Sequence, residues 1–583
     1  MAQQLMAKVY PGVTQTGGTE QVLGICLSGG GSRALTCALG QLSALNAMTM
    51  PNGQPVLDPE QYLSSVSGGS WASVLYTFLP ATINGTNVTD ADFLIQPVPP
   101  QSLTKGNPTD NAPGNVSYIG PYCLGTTPQQ FSTANVGVFL KTLMDSGFFA
   151  SPSQWSWFWI AGIGEIVLKP FALYSATYDA SGPFVQPGLM FSLSSAEVAQ
   201  NITKYNPHLS PSDFYLTRAG RPSLIVNMNL LENLMLPSSP QIPVQATPVA
   251  TSVLGQSPDG TIKGGGGVES FGFTSTLNGP GAIAGTASIS TGRNYSLCDI
   301  AGCSSAFFAS LLLQLIDEGI DDIVTDLENY LINDLHWDAW VADAVGVALK
   351  IAVESFAAKA SDVIPTYNYW PEGQLTTPSN NTLGFSDGGD FDNTGILGLL
   401  AQTNANKIIA FVNTETPLSG TATNLTLDSS VGLLFGHGGA GIGDMSYVQV
   451  FDDSAGAFAA LQAGLYNASC GGGATLGKAT AAYLQKGLVT IANPVANIAA
   501  GRVVDVLWVY NNPVSNWQNA ITDAGIQKDL AQISVSTAPL YNFPNYFTGE
   551  QVYLSVEAVN MLAQLSAWNV QQLSATIASW LGS

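Results

Sequence analysis

Three short stretches of the 583-residue chain combine small residues with groups that could do chemistry. The first is Ser28-Gly29-Gly30-Gly31-Ser32-Arg33-Ala34. Consecutive glycines let backbone N–H groups converge on one point without Cβ interference. Placed just ahead of a helix they form an anion hole; the same run also makes a plain glycine-rich turn. It is not a nucleotide loop, because no G-K-[ST] follows and Arg33 and Ala34 fill the later places of G-x-G-x-x-G. The second stretch, Ser65-Val66-Ser67-Gly68-Gly69, is close to G-x-S-x-G, with Ser65 replacing the first glycine. Such a turn presents a serine Oγ on a sharp strand-to-helix corner, facing the helix dipole. A chain rich in Ser and Gly also produces such matches by composition alone. Gly302-Cys303-Ser304-Ser305-Ala306 is a decoy of the same look. The third stretch is Ser386-Asp387-Gly388-Gly389, ahead of Asn393-Thr394-Gly395-Ile396. An Asp before two glycines can approach a reacting group closely; it can equally mark a turn between strands. Asp390 to Gly395 mimics the start of a calcium loop, but the twelfth position is Ala401 rather than Glu.

The elements around these stretches set the frame for them. Gln21 to Leu27 is a short apolar run without helical period and reads as a buried strand. Ser32 to Ala47 follows, with Leu35, Leu39, Leu42 and Leu45 at helical spacing. Tyr62 to Val66 is a second strand, Ser67-Gly68-Gly69 a tight turn, and Ser70 to Leu79 a helix. Two successive strand–turn–helix units are the grammar of an α/β fold with a largely parallel sheet. Pro222 to Leu230, Lys407 to Val412 and Val503 to Val509 read as further central strands, and Ser304 to Ile316 and Asp343 to Ala358 as helices. Residues 95–121 and 234–268 are rich in Pro, Gly and small polar residues and read as loops, the second as a flexible surface excursion. Length alone allows about three or four domains of roughly 150 residues. The core elements are instead scattered along the whole chain, which favours one large domain. Its core falls at about 20–80, 220–230, 285–316 and 380–583, and its cap or lid insertions at about 81–219 and 317–379.

Composition removes several functions. Acids outnumber bases 40 to 17, the net charge is -23, and 46% of residues are hydrophobic. Seventeen Lys and Arg do not make the broad cationic surface that nucleic acid needs, nor a polybasic lipid anchor. The five arginines are Arg33, Arg218, Arg221, Arg293 and Arg502. The polar first 18 residues contain no signal-peptide core. Glu165, Lys169 and Pro170 interrupt the apolar run from Trp155 short of the ~18 residues a membrane helix requires. The expectation is a soluble, cytoplasmic protein with room for peripheral membrane contact. Six cysteines without a C-x-x-C pair, and three histidines, argue against a zinc site, and no metal or cofactor is expected. The thiols read as buried and free, although Cys298 and Cys303 could close a small loop.

The order SGGGSRA, then a serine elbow followed by Trp71, then a distant DGG resembles the patatin-like phospholipase superfamily. Within it, Ser67-Gly68-Gly69-Ser70-Trp71 is more similar to the catalytic domain of cytosolic phospholipase A2 than to plant patatin. Residues 296–312 and 385–400 look like the segments flanking the second half of that family's site. The resemblance covers about a quarter of the chain. It implies a three-layer patatin-like α/β core with large cap insertions, and a lipid acyl-ester hydrolase of the phospholipase A or lysophospholipase type. Ser67 would be the nucleophile and Asp387 its general base, a dyad without histidine acting through an acyl-serine. The N–H groups of Gly30 and Gly31 would form the oxyanion hole, and Arg33 would orient the phosphate or acyl oxygen of the substrate. The substrate would be a phospholipid or lysophospholipid met at a transient membrane or micelle interface. Ser65 departs from the pattern, and the N-terminal stretch is too short for a calcium-dependent C2 domain. The family's second phosphate-binding Arg has no clear motif here.

The chemistry asked of these residues is coherent. A serine hydroxyl needs a base to become a nucleophile. A carboxylate with an ordinary pKa near ~4 serves at neutral pH only when partly desolvated. The same site with an alcohol or amine in place of water is a transacylase, and the same fold without turnover is a lipid-binding or storage protein. A Ser-His-Asp triad is the rival mechanism, since His437 follows Asp387 in the chain order Ser–Asp–His. Trp155, Trp157, Phe158 and Trp159 form either the aromatic core of a cap or a lid that docks on lipid. Full burial of Trp155 and Trp157 would remove the lid reading. The acidic run from Asp317 to Asp326 reads as a solvated helix face.

Overall fold

The computed structural model describes residues 3–10, 22–50, 53–179, 184–231, 241–257, 266–306, 308–333, 364–370, 381–438, 445–547 and 551–582, with Gly264 and short pieces between 342 and 353. Among the described residues the main sheet has 14 strands. In chain order they are β1 (Gln3–Tyr10), β2 (Val22–Leu27), β3 (Tyr62–Val66), β4 (Ser223–Leu231), β5 (Gln241–Ala246), β6 (Ala250–Val253), β7 (Gly266–Glu269), β8 (Thr276–Pro280), β9 (Thr286–Thr291), β10 (Thr366–Tyr369), β11 (Asn381–Asp387), β12 (Ala405–Val412), β13 (Ala481–Val489) and β14 (Val503–Tyr510). The helices that matter for the site are α1 (Gly31–Asn46), α2 (Gly68–Phe78), α3 (Leu297–Cys303), α4 (Phe308–Asn333), α5 (Ala457–Cys470) and α6 (Val556–Gln572).

The centre of the sheet is parallel, in the order β4-β3-β2-β12-β14. Both faces of these strands are buried. Leu23, Ile25 and Leu27 of β2 belong to one apolar core, whereas Cys26 belongs to the other. Leu507 and Val509 of β14 likewise face the first core, and Val506 and Trp508 the second. Strand side chains alternate between faces, so a parallel strand under two helical layers reads as a continuous apolar run. Residues of α1, α2 and α6 fill the first core, and α5 with Ile396–Leu400 the second. This is a mixed α/β architecture with a largely parallel central sheet, as the sequence grammar requires.

An antiparallel extension, β8-β9-β1-β7-β6-β5, continues from β4, and it was not legible in the sequence. Residues 234–268, expected as a flexible loop, contain β5, β6 and all but the last residue of β7; 232–240, 258–263 and 265 lie outside the described residues. Pro243 sits in β5 opposite Asn229, so proline-rich composition concealed a strand whose order comes from its neighbours. The N-terminal stretch, expected to be polar and outside the core, forms β1 between β9 and β7. Only Leu5 and Ala7 are fully buried, with Val9 partly buried against the same core, a short alternation that is a weak strand signal.

The helix expected from Ser304 begins at Phe308, after a turn, and runs on to Asn333. Asp321 and Asp322 on it are exposed. The helix expected over Asp343–Ala358 lies largely outside the described residues. Among the described residues no helix is long and apolar enough to cross a membrane. All six cysteines are buried and free, so Cys298 and Cys303 do not close a loop.

The aromatic segment takes the core reading of the two that the sequence allowed. Trp155 and Trp157 are 6% and 9% exposed and Trp159 1%. Trp157 meets Tyr367 edge-on at 5.2 Å and carries the Arg293 guanidinium 4.4 Å above its ring. These rings are core, so the lid reading falls.

Candidate active site

The site is assembled on one edge of β4. Strand β3 runs parallel to it and ends with Val66 opposite Asn227. Strand β11 runs antiparallel to the same strand and ends with Asp387 opposite Met228. Two strands therefore finish on adjacent residues of a third, from opposite directions. Ser67 follows directly on one end and Asp387 is the other end.

Ser67 has φ 52° and ψ -122°, a conformation that costs an L-residue about 1–3 kcal/mol. It is the residue preceding α2, so its hydroxyl lies at a helix N-terminus. The turn is tight because α2 starts with glycine: a Cβ on Gly68 would lie 2.1 Å from the Gly31 carbonyl oxygen. The Ser67 hydroxyl donates to Asp387 Oδ2 at 3.0 Å. Asp387 Oδ1 accepts from the Gly389 N–H at 2.7 Å, and its main-chain carbonyl accepts from Asn229 Nδ2 at 2.6 Å. One carboxylate oxygen is thereby fixed by backbone and the other is turned to the serine. Ser67 and Asp387 are 2% and 3% exposed. Ser65, the departure from the elbow pattern, packs at 0% exposure and bonds Ser73 Oγ at 2.6 Å.

The glycine run lies across from the elbow. Gly30 has φ 131° and Gly31 φ 51°, both in the region open to glycine. Gly31 opens the 16-residue α1, whose first-turn amides have no partners within the helix. Gly29 N–H donates to the Asn393 carbonyl at 3.1 Å, tying the run to the loop after Asp387. Asp392 shapes that loop. It accepts from Thr394 N–H at 2.9 Å, Thr394 Oγ1 at 2.6 Å and Leu397 N–H at 2.8 Å. The apparent calcium loop is thus a hydrogen-bonded turn. Burial raises Asp390 to about 6.

Arg33 is placed differently from the expectation of a substrate contact. Its side chain is 4% exposed. Nε donates to the Asn413 carbonyl at 2.9 Å, and Nη1 donates to the Tyr546 carbonyl at 2.5 Å and to Glu415 Oε2 at 3.1 Å. Burial pulls its pKa below the ordinary value, and Glu415 draws it back. Nη2 packs against Gly30, where a Cβ would fall 2.3 Å away. The guanidinium packs against the glycine run, and its Nε and Nη1 are engaged by protein acceptors that sequence spacing cannot foresee. The other arginines are also engaged internally. Arg221 clasps Asp90 at 2.6 and 2.7 Å, Arg293 pairs with Asp299 at 2.7 Å, and Arg502 bonds main-chain carbonyls.

The rival triad is not assembled. His437 Nε2 meets Asp453 Oδ2 at 2.6 Å and its ring stacks on Phe458 of α5 at 4.5 Å. His437 and His208 are both exposed; His336 lies outside the described residues. Among the described residues no cluster of His, Cys, Asp and Glu could hold a metal ion.

The decoy Gly302–Ala306 proves to touch the elbow. Ser304 Oγ accepts the Ser67 N–H at 3.0 Å, and Ser305 Oγ accepts the indole N–H of Trp71 at 2.9 Å and of Trp159 at 3.2 Å. Its sequence signals were the small-residue run at the end of α3 and the likeness of residues 296–312 to a site-flanking segment.

No family model matches this chain, and no curated protein does. Among solved structures it is similar to human GIVD cytosolic phospholipase A2, with TM-score 0.41 and 14% identity over 96% of this chain and 60% of that one. A structure of that enzyme in complex with methyl gamma-linolenyl fluorophosphonate inhibitor and terbium chloride gives TM-score 0.41 and 14% identity over 96% and 59%. The chain thus spans about 60% of the length of the protein it resembles. A likeness this distant leaves the chemistry to be argued from the site itself.

Proposed function

We propose that the protein is a serine acyl hydrolase acting on lipid acyl esters through a Ser67–Asp387 dyad. The observation that carries this reading is the 3.0 Å bond from Ser67 Oγ to Asp387 Oδ2 on a strained elbow. Asp387 takes the hydroxyl proton as Ser67 Oγ attacks the ester carbonyl. The oxyanion forms toward the N–H groups of Gly30 and Gly31, where each fixed donor is worth about 3–4 kcal/mol. The leaving alcohol receives the proton from Asp387 as the ester C–O bond breaks. Water then attacks the acyl-serine, giving its proton to Asp387, and Ser67 is regenerated with release of the fatty acid. Phospholipid or lysophospholipid is the proposed substrate class, supported by the SGGGSRA, SGGSW and DGG motifs in their order.

A long-chain alkyl fluorophosphonate tests the nucleophile, and fatty acid released from phosphatidylcholine and lysophosphatidylcholine vesicles tests the substrate. Wild type is expected to take one probe per chain and to release fatty acid; Ser67→Ala is expected to do neither. Asp387→Asn keeps the shape but removes the base, with an expected loss of about 100- to 10,000-fold. A wild-type protein that binds vesicles but neither labels nor hydrolyses would overturn the proposal in favour of a lipid-binding protein.

A further inference from the structure

We infer that Ser304 is a positioning residue for the nucleophile elbow, an inference that rests on the proposed hydrolase reading. The Ser304 hydroxyl has one proton, and the Asn227 main-chain carbonyl, 2.6 Å away, accepts it. Its oxygen is then left to accept the Ser67 N–H at 3.0 Å, and it lies 2.9 Å from the Ser70 hydroxyl oxygen. A single buried hydroxyl, 0% exposed, therefore joins three parts of the site. These are the strained residue Ser67, the first turn of α2, and the β4 residue at which β3 hands over to β11. The Ser304 carbonyl also accepts the Gly388 N–H at 3.3 Å, beside the base. The elbow and the Asp387 turn thus hang on one residue.

The arrangement has a chemical consequence. With its N–H bonded to Ser304, Ser67 does not supply that amide to a developing oxyanion, so the donors must come from the glycine run. The bond also holds φ at 52° in a region an L-residue leaves when unsupported. Ser304 is itself held. It follows α3, whose N-terminus carries a reciprocal cap between Ser296 and Asp299. Asp299 is 0% exposed and is fixed by Arg293 at 2.7 Å and by the Tyr367 hydroxyl at 2.6 Å. That buried cluster anchors the helix whose end carries Ser304.

Removing the hydroxyl leaves the Ser67 amide buried without an acceptor. The Ser67 Oγ is then free to leave its line to the ester carbonyl, and a misplacement of about 1 Å can cost on the order of 100-fold. The test is the second-order rate of labelling by a long-chain fluorophosphonate for wild type, Ser304→Ala, Ser304→Thr and Ser305→Ala, with a urea unfolding curve for each. Ser304→Ala is expected to label about 10- to 100-fold more slowly while still folded, with KM for lysophosphatidylcholine near wild type and the loss in kcat. Ser304→Thr keeps the hydroxyl and is expected to recover most of the rate. Ser305→Ala removes the shared acceptor of the Trp71 and Trp159 indoles and the donor to the Ala301 carbonyl but no bond to Ser67, so it is expected to lower the urea midpoint while labelling as wild type does. A folded Ser304→Ala that labels at the wild-type rate overturns the inference, as does a Ser304→Thr no better than Ser304→Ala. Failure of wild type itself to label would instead count against the hydrolase reading.

Discussion

Val66 and Asp387 stand opposite consecutive residues of one strand, Asn227 and Met228. Their own strands run in opposite directions, and 320 residues separate Ser67 from Asp387. The proximity of serine and carboxylate is therefore set by backbone pairing and not by side-chain reach. A one-residue slip of β11 would turn Asp387 to the other face of the sheet.

Under the proposed dyad, His437 is dispensable. His437 pairs with Asp453 on an exposed surface, so His437→Gln should turn over ester within about twofold of wild type. A loss comparable to that of Ser67→Ala would revive the triad.

Gly68 should not tolerate a side chain. Gly68→Ala places a Cβ 2.1 Å from the Gly31 carbonyl oxygen, a backbone atom that cannot rotate away. Separating α2 from the glycine run should cost about 1–3 kcal/mol, seen as a lower urea midpoint. The same displacement should reduce fluorophosphonate labelling.

Arg33→Met should act on stability as well as rate. It removes donors from the Asn413 and Tyr546 carbonyls and leaves Glu415 without its ion pair. Glu415 is about one-third exposed, at 37%, so most of the penalty should come from the buried carbonyls, about 1–3 kcal/mol for each one left unpaired. Thermal unfolding measures that loss. If Arg33 instead contacted substrate phosphate, Arg33→Met would raise KM for lysophosphatidylcholine without lowering the midpoint.

Glu269 gives the fold a pH dependence of predictable sign. Burial, offset in part by the Lys8 N–H, raises its carboxyl to about 7. A group whose folded pKa lies above its unfolded value near 4.5 is favoured protonated in the fold. Its contribution is complete below pH ~4.5 and is lost as pH rises through about 7, up to about 3 kcal/mol. Urea midpoints measured from pH ~5 to ~8 should fall more steeply for wild type than for Glu269→Gln. Parallel slopes would contradict this.

The residues of the candidate site were legible because they are small or reactive at fixed local spacing. Strained turns and helix entries demand glycine, and that demand is written locally as SGGGSRA, SGGSW and DGG. Apolar runs without helical period marked β2, β3, β4, β12 and β14, because strands buried on both faces need apolar residues throughout. The antiparallel extension was hidden. Its strands carry Pro243 and a Gly266-Gly267 pair, and they owe their order to the neighbours they bond.

Sequence by itself located the elbow, the glycine run, the carboxylate and the α/β grammar, since each is written in residue types within a few positions. Tertiary structure decided how distant groups are used. It buried Trp155 and Trp157, bound Arg33 to carbonyls 380 and 513 residues away, and brought Ser304 to the Ser67 amide 237 residues before it. Those outcomes depend on which strand ends meet on β4, and pairing between distant strands leaves no local trace in composition or spacing.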